Sequence, residues 1–332
     1  MKIGVLLPHV KIYGGVKRFL ELGNVFEEQG HEFWIFTPAL EAEVSWFKYK
    51  GKLSTFDCID DHSLDVLFFT EPSFKEVVLK SNACRKIFYI VSKKVKLEEL
   101  KGLGLDFYAN STDMLKKAEQ AGLAAFSAIG GINTKLYTPL PVDKRSRDPF
   151  KILIYGRLSK KKKGSMLVVR ACEVIYLFHK NIKIILFDSP TDEKASKAIK
   201  KFKTFVPFEF VVNHPPERNC ELYARANLYV NAEKGGGWAN TTIESMASGT
   251  PVISTSQGTK DFLVHNHSGL VVRRNLFSVT RAIWKLIKNK ELAETFSKNA
   301  LAGIACYDWD YLGSKILSEL YAKSKTEDNT SK

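Results

Sequence analysis

Short apolar runs and amphipathic stretches alternate along most of this chain. Ile3 to Pro8 is apolar throughout, the pattern of a strand covered on both faces in a parallel sheet. Gly14-Gly15 then predicts a loop, and Val16, Phe19, Leu20, Val25 and Phe26 fall at broadly helical spacing as far as about Gln29. Gly30 is placed to stop that helix, and Phe33 to Thr37 reads as the next strand. Val66 to Phe69, Ile87 to Val91 and Phe107 to Asn110 predict further strands, followed by a helix over Asp113 to Ala121 with Ser111 or Thr112 as its cap. Phe126 to Ile129 is the last apolar run of this half. Strands alternating with helices predict a parallel α/β sheet.

From Gly130 to Pro149 the alternation lapses into glycines, prolines and charges, which predicts an interdomain linker. It restarts with a strand over Lys151 to Tyr155, a turn at Gly156-Arg157-Leu158, a lysine run ending at Gly164 and a helix over Met166 to His179. Strand Ile182 to Phe187, helix Glu193 to Phe202, strand Phe208 to Val212 and helix Glu217 to Ala226 follow. Later come a strand over Gly269 to Val272, helices over Leu276 to Lys288, Glu291 to Ala302 and Asp310 to Ala322, and a polar tail expected to fray. The expected fold class is α/β, with two doubly wound Rossmann-like domains facing a central cleft that is the default ligand site. The expected domains are residues 1–140, 141–309 and a C-terminal helix and tail at 310–332.

The stretch from Ala226 to Gly258 holds the densest candidate chemistry. Leu228 to Val230 reads as a strand, Gly235-Gly236-Gly237 as a loop, and Asn240, Thr241 and Thr242 as a helix start ahead of Ile243 to Ala247. Gly249 ends that helix and Pro251 to Ser254 is the next strand. A glycine loop feeding a helix N-terminus offers unpaired N–H groups and the positive end of the helix dipole, which suits a phosphate. Glu244, one turn in, is placed to grip a sugar hydroxyl; a surface glutamate on a plain βαβ turn is the alternative.

Composition narrows the setting. The 332 residues suffice for about two domains, and no stretch approaches a membrane-spanning length. The start, MKIGVLLPHV, has too short an apolar run for a signal peptide and no small-residue cleavage site. Five widely spaced cysteines without a CxxC argue against a disulfide framework or a zinc site and predict a reducing, cytoplasmic home. The net charge of +14 fits a polyanionic partner (nucleic acid, an anionic membrane or phosphorylated ligands) or a generally solvated basic surface. The basic clusters, Lys93-Lys94-Lys96, Lys160 to Lys163, Lys200-Lys201-Lys203 and Arg273-Arg274, are scattered, unlike a nucleic-acid-binding stripe, and no nucleic-acid partner is expected.

Taken in order, the motifs resemble those of family-4 glycosyltransferases, which have the two-domain GT-B fold and belong to glycosyl transferases group 1. They are Gly14-Gly15, Gly30-His31, Asn110-Ser111, Gly131-Ile132-Asn133 with Tyr137 and Pro139, Gly156-Arg157-Leu158 with Lys163-Gly164, and Asn240-Thr241-Thr242-Ile243-Glu244 with Met246-Ala247 and Gly249-Thr250-Pro251-Val252. The resemblance implies a retaining, metal-independent transfer of a sugar from a nucleotide-diphosphate sugar to an acceptor hydroxyl, with no cofactor and no covalent enzyme nucleophile. It implies that Arg157 and Lys163 hold the donor diphosphate, with Lys161 or Lys162 as alternatives to Lys163. It assigns phosphate donors to Asn240, Thr241 and Thr242, the ribose to Glu244, and a cleft-lining place to Gly14 and Gly15. It also implies that the last helix crosses back onto the N-terminal domain, which would be the acceptor side, with the donor on the C-terminal side.

The chain departs from the family at two places: the stretch Phe88 to Lys93 has no histidine where family members often carry one near the end of a middle strand, and the second departure concerns a glutamate. The family carries two glutamates eight positions apart, and eight before Glu244 stands Gly236. Glu233, joined to Gly236 and Gly237 by flexible backbone, is the candidate substitute for the missing sugar contact, with a plain loop glutamate as the alternative. Trp238 is read either as packing over the donor or as a structural plug. Asp308-Trp309-Asp310 spells a metal-binding triplet of another glycosyltransferase fold, but here it introduces a helix and is read as capping. The acceptor is unassigned; charge and the Phe19/Phe26 helix suggest a lipid-linked or membrane-surface acceptor and peripheral contact with the inner face of an anionic membrane. The missing glutamate leaves a second class open, a non-catalytic sugar-nucleotide or glycan-binding protein on the same fold.

Overall fold

The first apolar run forms β1 (Lys2–Leu6) at the middle of a parallel sheet. The chain then passes through α1 (Gly14–Glu28), β2 (Glu32–Thr37), β3 (Lys52–Thr55), β4 (Val66–Phe69), α2 (Lys75–Lys80), β5 (Arg85–Ile90), β6 (Asp106–Ala109), α3 (Thr112–Gln120) and β7 (Phe126–Ser127). The computed structural model describes residues 1–40, 43–139 and 146–330, with side chains as far as Lys323. Among them the first sheet has the order β3-β2-β1-β4-β5-β6-β7, every pairing parallel. Ile3 pairs with Phe33 on one side and Val66 on the other, so β1 is an interior strand, and Gly4 and Val5 are buried with it. The chain runs outward from β1 through β2 to β3 and returns to β4, which puts the switch point between β1 and β4.

Two expectations change here, and two elements are new. Gly14 and Gly15 are the first two residues of α1, with extended Tyr13 as N-cap, and not a loop before it. Glycine is tolerated there because first-turn N–H groups have no intrahelical acceptor to lose, and a Cβ on Gly15 would meet nothing within 4 Å. Phe19 and Phe26 are each 1% exposed in the core beneath α1, so neither can insert into a membrane. β3 and α2 carried no clear pattern: Lys52–Thr55 is only partly covered, and six residues are too few to display a helical period. Gly30 does stop α1, at φ +81°.

The second sheet is built by β8 (Phe150–Tyr155), α4 (Ser165–Phe178), β9 (Ile182–Asp188), α5 (Glu193–Lys200), β10 (Phe208–Val212), α6 (Asn219–Arg225), β11 (Leu228–Asn231), α7 (Asn240–Ala247), β12 (Val252–Ser254) and β13 (Leu270–Val271), followed by α8 (Leu276–Lys288) and α9 (Lys290–Ile304). The strand order among the described residues is β10-β9-β8-β11-β12-β13, all parallel. Ile152, Ile184, Val230 and Ile253 build one buried layer with Val168, Val169 and Ile283 from the helices over it. The switch point of this sheet lies between β8 and β11.

Contacts divide the chain into Met1–Gly131 with Tyr307–Lys332, and Ile132–Cys306. Of the expected linker, Gly130 stays with the first unit, where its carbonyl accepts from Arg18, while Tyr137 and Arg147 pack on the second. Tyr137 is buried edge-on against Tyr223, ring centroids 6.0 Å apart, and Arg147 lies over Phe150 at 4.7 Å while donating to the Leu286 and Ile287 carbonyls. Residues 140–145, at the expected boundary, lie outside the described residues. The last helix, α10 (Trp309–Thr330), returns to the first unit, where Leu312, Ile316 and Leu320 join its core. Glu319 accepts a hydrogen bond from Tyr108 and pairs with Arg85, tying α10 to β5 and β6. The helix runs beyond Ala322 through residues expected to fray.

Candidate functional site

In a parallel sheet all strands end at one edge, so loops that follow neighbouring strands meet there. At the carboxyl edge of the second sheet, on either side of its switch point, the loop after β8 carries Arg157 and Lys163, and the loop after β11 carries Glu233 to Ala239. The structure brings these loops together by backbone contacts. Lys234 N–H donates to the Lys162 carbonyl at 2.7 Å. Gly164 sits at φ +74° with the Ala232 carbonyl oxygen 2.1 Å from where a Cβ would be, so no other residue fits without displacing β11. Arg274 locks the junction from below, donating to the Ala232 and Lys161 carbonyls at 2.8 Å each.

Arg157 is buried, and its guanidinium donates to Tyr155 Oη at 3.0 Å and Thr191 Oγ1 at 3.2 Å. It stands 3.6 Å from Oδ1 of Asp188, the last residue of β9. Asp188 is 3% exposed and neither carboxylate oxygen has a partner within hydrogen-bond geometry among the described residues. Burial pushes its carboxyl above the usual carboxylate range, opposed by the Arg157 charge and the nearby Ser189 amide. Arg157 is thus the charge that tempers an otherwise costly buried acid, and that acid holds the guanidinium at the sheet edge.

Lys163 and Glu233 form an ion pair, Nζ to Oε1 at 2.7 Å, with the lysine 5.9 Å from the Tyr155 ring centre. Lys161 and Lys162 are exposed and serve the loop through their carbonyls. Glu233 is buried, its N–H bonded to Asn231 Oδ1 and its carbonyl accepting from Thr255 Oγ1. Its Oε1 lies 3.4 Å from where a Cβ on Gly236 would sit. The Glu233 carboxylate therefore occupies space beside the position at which the expected glutamate is missing. Gly235 and Gly236 leave the loop backbone uncovered on this side, with nothing within 4 Å of a Cβ at Gly235.

α7 begins at Asn240, with Ala239 as N-cap. Thr242 and Ile243 donate to the Ala239 carbonyl at 3.0 and 3.1 Å, so the Asn240 and Thr241 N–H groups are the ones without an intrahelical acceptor. The threonine hydroxyls are tied to the sheet: Thr241 Oγ1 accepts from Tyr229 at 2.7 Å and Thr242 Oγ1 from Asn231 at 3.1 Å. Glu244 is buried and accepts from Tyr223 Oη at 2.8 Å. Burial beside that carboxylate holds the Tyr223 hydroxyl well above its ordinary range, so it stays a donor. Trp238 packs edge-on against Phe262 at 5.0 Å.

Gly14 and Gly15 lie at the carboxyl edge of the other sheet, beside its own switch point. Asp308 Oδ1 accepts from the Asp310 N–H at 2.8 Å at the start of α10, the capping geometry. Among the described residues no three His, Cys, Asp or Glu side chains are grouped to hold a metal ion, and no helix is long and apolar enough to cross a membrane. Asp188, Tyr155, Thr191 and Tyr223 escaped sequence reasoning: each is a single residue at a strand end, in a loop or on a helix that only the fold brings to Arg157 or Glu244. Arg274 had left a trace, as half of an unexplained basic pair.

Comparison with known proteins bears on the fold and on the segment that carries these residues. The family described as glycosyl transferases group 1 matches residues 141–302, the segment that holds Arg157, Lys163, Glu233 and α7. The chain is 28% identical over 159 residues to the capsular polysaccharide biosynthesis glycosyltransferase CapM of Staphylococcus aureus, covering 47% of this chain and 41% of that protein. It spans less than half the length of the curated relatives it matches, 41% and 44%. Among solved structures, a sucrose-phosphate synthase from Thermosynechococcus elongatus superposes with a TM-score of 0.80 at 14% identity, covering 98% of this chain and 99% of that one. Anabaena Alr3699/HepE, in complex with UDP and glucose, superposes with a TM-score of 0.78 at 15% identity, covering 97% and 100%. These likenesses fix the fold as GT-B, two parallel-sheet α/β units. The chain thus has the GT-B fold, and over residues 141–302 it resembles the glycosyl transferases group 1 family.

Proposed function

We propose that this chain is a retaining glycosyltransferase that moves a sugar from a nucleotide-diphosphate sugar to an acceptor hydroxyl, in the synthesis of an envelope polysaccharide or glycolipid. The observation that carries the reading is that Arg157, Lys163 and the start of α7 all follow strands at the same carboxyl edge, on the loops flanking the β8–β11 switch point. A fixed guanidinium, an ammonium and free helix N–H groups suit a diphosphate. The name of one similar protein, for capsular polysaccharide biosynthesis, supports the envelope setting, and the UDP and glucose bound by another support a UDP-sugar donor.

In this reading Arg157 and Lys163 neutralise the charge that develops on the leaving diphosphate, and the Asn240 and Thr241 N–H groups complete its cradle. Glu244 holds the ribose. Glu233, with Gly236 and Gly237 leaving room beside it, holds a sugar hydroxyl. The leaving diphosphate takes the proton from the acceptor hydroxyl as the new bond forms, so no side chain need act as nucleophile and the transfer is metal-independent. Gly14 and Gly15 are the small residues of the first unit that leave space for substrate, and that unit serves the acceptor. Contact with an anionic inner membrane face belongs to the same reading, although not through Phe19 or Phe26.

The test is a thermal-shift panel of uridine, guanosine, adenosine and thymidine diphosphates and their sugars, followed by donor turnover. A nucleotide present at a hundredfold over its dissociation constant adds about 2.7 kcal/mol of stability. Stabilisation by one base series together with release of its diphosphate supports the reading. Stabilisation without turnover identifies a non-catalytic sugar-nucleotide-binding protein, and no stabilisation by any of them overturns both.

A further inference from the structure

The amino edge of the second sheet carries aromatic and basic side chains that the proposed function does not use. α4 and α8 start at the carboxyl edge, where Gly164 meets Ala232 and Arg274 meets Ala232 and Lys161. Both end at the opposite edge. β9 opens at Ile182 shortly after α4 closes, and the Leu286 and Ile287 carbonyls near the end of α8 accept from Arg147, just ahead of β8. At that edge Leu177 is exposed and Phe178 is 83% exposed. Their neighbour His179 lies edge-on to the exposed Trp284 of α8, centroids 5.7 Å apart. Phe205, exposed ahead of β10, lies 6.2 Å from Tyr176 of α4. These ring contacts join residues from α4, α8 and the loop before β10 into one surface.

The cations sit among the rings. Lys180 lies 4.4 Å above Tyr176, and Lys288 4.6 Å above Trp284. The cluster Lys200, Lys201 and Lys203, unexplained in the sequence, is exposed just before Phe205. Towards the end of α8 the exposed positions Arg281, Trp284, Lys285 and Lys288 share one helix face, and the helix has no acidic residue.

We propose that this amino-edge surface docks on an anionic lipid bilayer. Exposed Phe and Trp rimmed by Lys and Arg is the composition of an interfacial contact, in which rings enter the headgroup boundary and cations meet lipid phosphates. The charge also selects the occupant. A second copy of the chain, related by a two-fold axis, would set this lysine-rich surface against itself, whereas an anionic bilayer complements it. Contact here leaves the carboxyl edge, with Arg157 and Lys163, uncovered. The proposal does not depend on donor chemistry, so nucleotide stabilisation and lipid binding succeed or fail separately.

The experiment is co-sedimentation of the full chain with phosphatidylcholine vesicles, with or without phosphatidylglycerol, at low and high salt. Binding is expected to the phosphatidylglycerol vesicles at low salt and to fall as salt rises. Lys285→Ala/Lys288→Ala should weaken it by roughly fivefold for each charge removed. Phe178→Ser/Trp284→Ser should weaken it on the order of tenfold at unchanged charge. Lys93→Ala/Lys94→Ala, in the other unit, should bind as wild type. Each variant is compared for thermal midpoint; if the aromatic variant fails to fold, the lysine variant carries the test. Absence of binding to phosphatidylglycerol vesicles at low salt overturns the proposal. So does wild-type binding by both surface variants, or a concentration-dependent dimer that Phe178→Ser/Trp284→Ser abolishes.

Discussion

Replacing Glu233 by glutamine separates the two ends of the proposed donor site. The Glu233 carboxylate is 2.7 Å from Lys163 Nζ, a gross attraction of about 6 kcal/mol at an effective dielectric constant of 20. Most of that is offset by desolvation and competing water, and a hydrogen bond to a charged group contributes about 1.5–3 kcal/mol net. Glutamine keeps the size and a neutral acceptor, so roughly 1 kcal/mol of the hold on Lys163 is lost. If Lys163 must turn from Glu233 to the donor diphosphate, Glu233→Gln binds the nucleoside diphosphate about fivefold more tightly. The sugar end responds in the opposite sense. With the carboxylate beside Gly236 gone, a contact of about 1.5–3 kcal/mol to the sugar is lost, and kcat/KM for transfer falls roughly 10- to 150-fold. Isothermal titration with the diphosphate and a steady-state donor assay measure the two effects on one protein. Unchanged turnover with tighter diphosphate binding reduces Glu233 to a tether for Lys163. Weaker diphosphate binding refutes the competition itself.

Further outcomes follow from single contacts. Gly164→Ala places a Cβ 2.1 Å from the Ala232 carbonyl oxygen at positive φ, and should cost at least about 2 kcal/mol of stability, seen as a lower denaturation midpoint. Tyr223→Phe removes the donor 2.8 Å from the buried Glu244 carboxylate and should cost about 1–3 kcal/mol, read by the same unfolding curve. Asp188 bears on pH. Burial raises its folded pKa, so the folded state holds a proton that the unfolded chain releases, and wild-type stability falls as pH rises from the ordinary carboxyl value through the raised one. Asp188→Asn lacks that titration, so its melting temperature relative to wild type should climb across that window and level off above it. A difference independent of pH contradicts the assignment.

The sequence showed most of the frame because buried parallel strands are continuous apolar runs and the helices between them end at glycines such as Gly30 and Gly249. β8 and β10 stand where the pattern placed them to within a residue, whereas partly covered β3 and six-residue α2 had too little periodicity to register. Glu244 could be picked out by its place one turn into a helix fed by a glycine loop, and Arg157 and Lys163 only through the family resemblance of the motifs around them. Their partners could not. Asp188 reaches Arg157 across neighbouring strands, and Tyr223 reaches Glu244 from a different helix, so their meeting depends on strand order and not on spacing along the chain. Phe19 and Phe26 illustrate the converse: helical spacing identifies an apolar face but not whether core or lipid covers it.

The central claim is that Arg157 holds a nucleotide diphosphate at the carboxyl edge of the second sheet. Arg157→Ala alone would leave the buried Asp188 unpaired and could fail for that reason. The measurement is therefore made on Arg157→Ala/Asp188→Asn, which removes the pair together, beside Asp188→Asn as its reference. Both are titrated calorimetrically with the preferred nucleoside diphosphate and with the corresponding nucleoside. The account predicts that the double variant keeps its fold and its affinity for the nucleoside and loses on the order of a hundredfold in affinity for the diphosphate. Diphosphate binding equal to that of Asp188→Asn would contradict it.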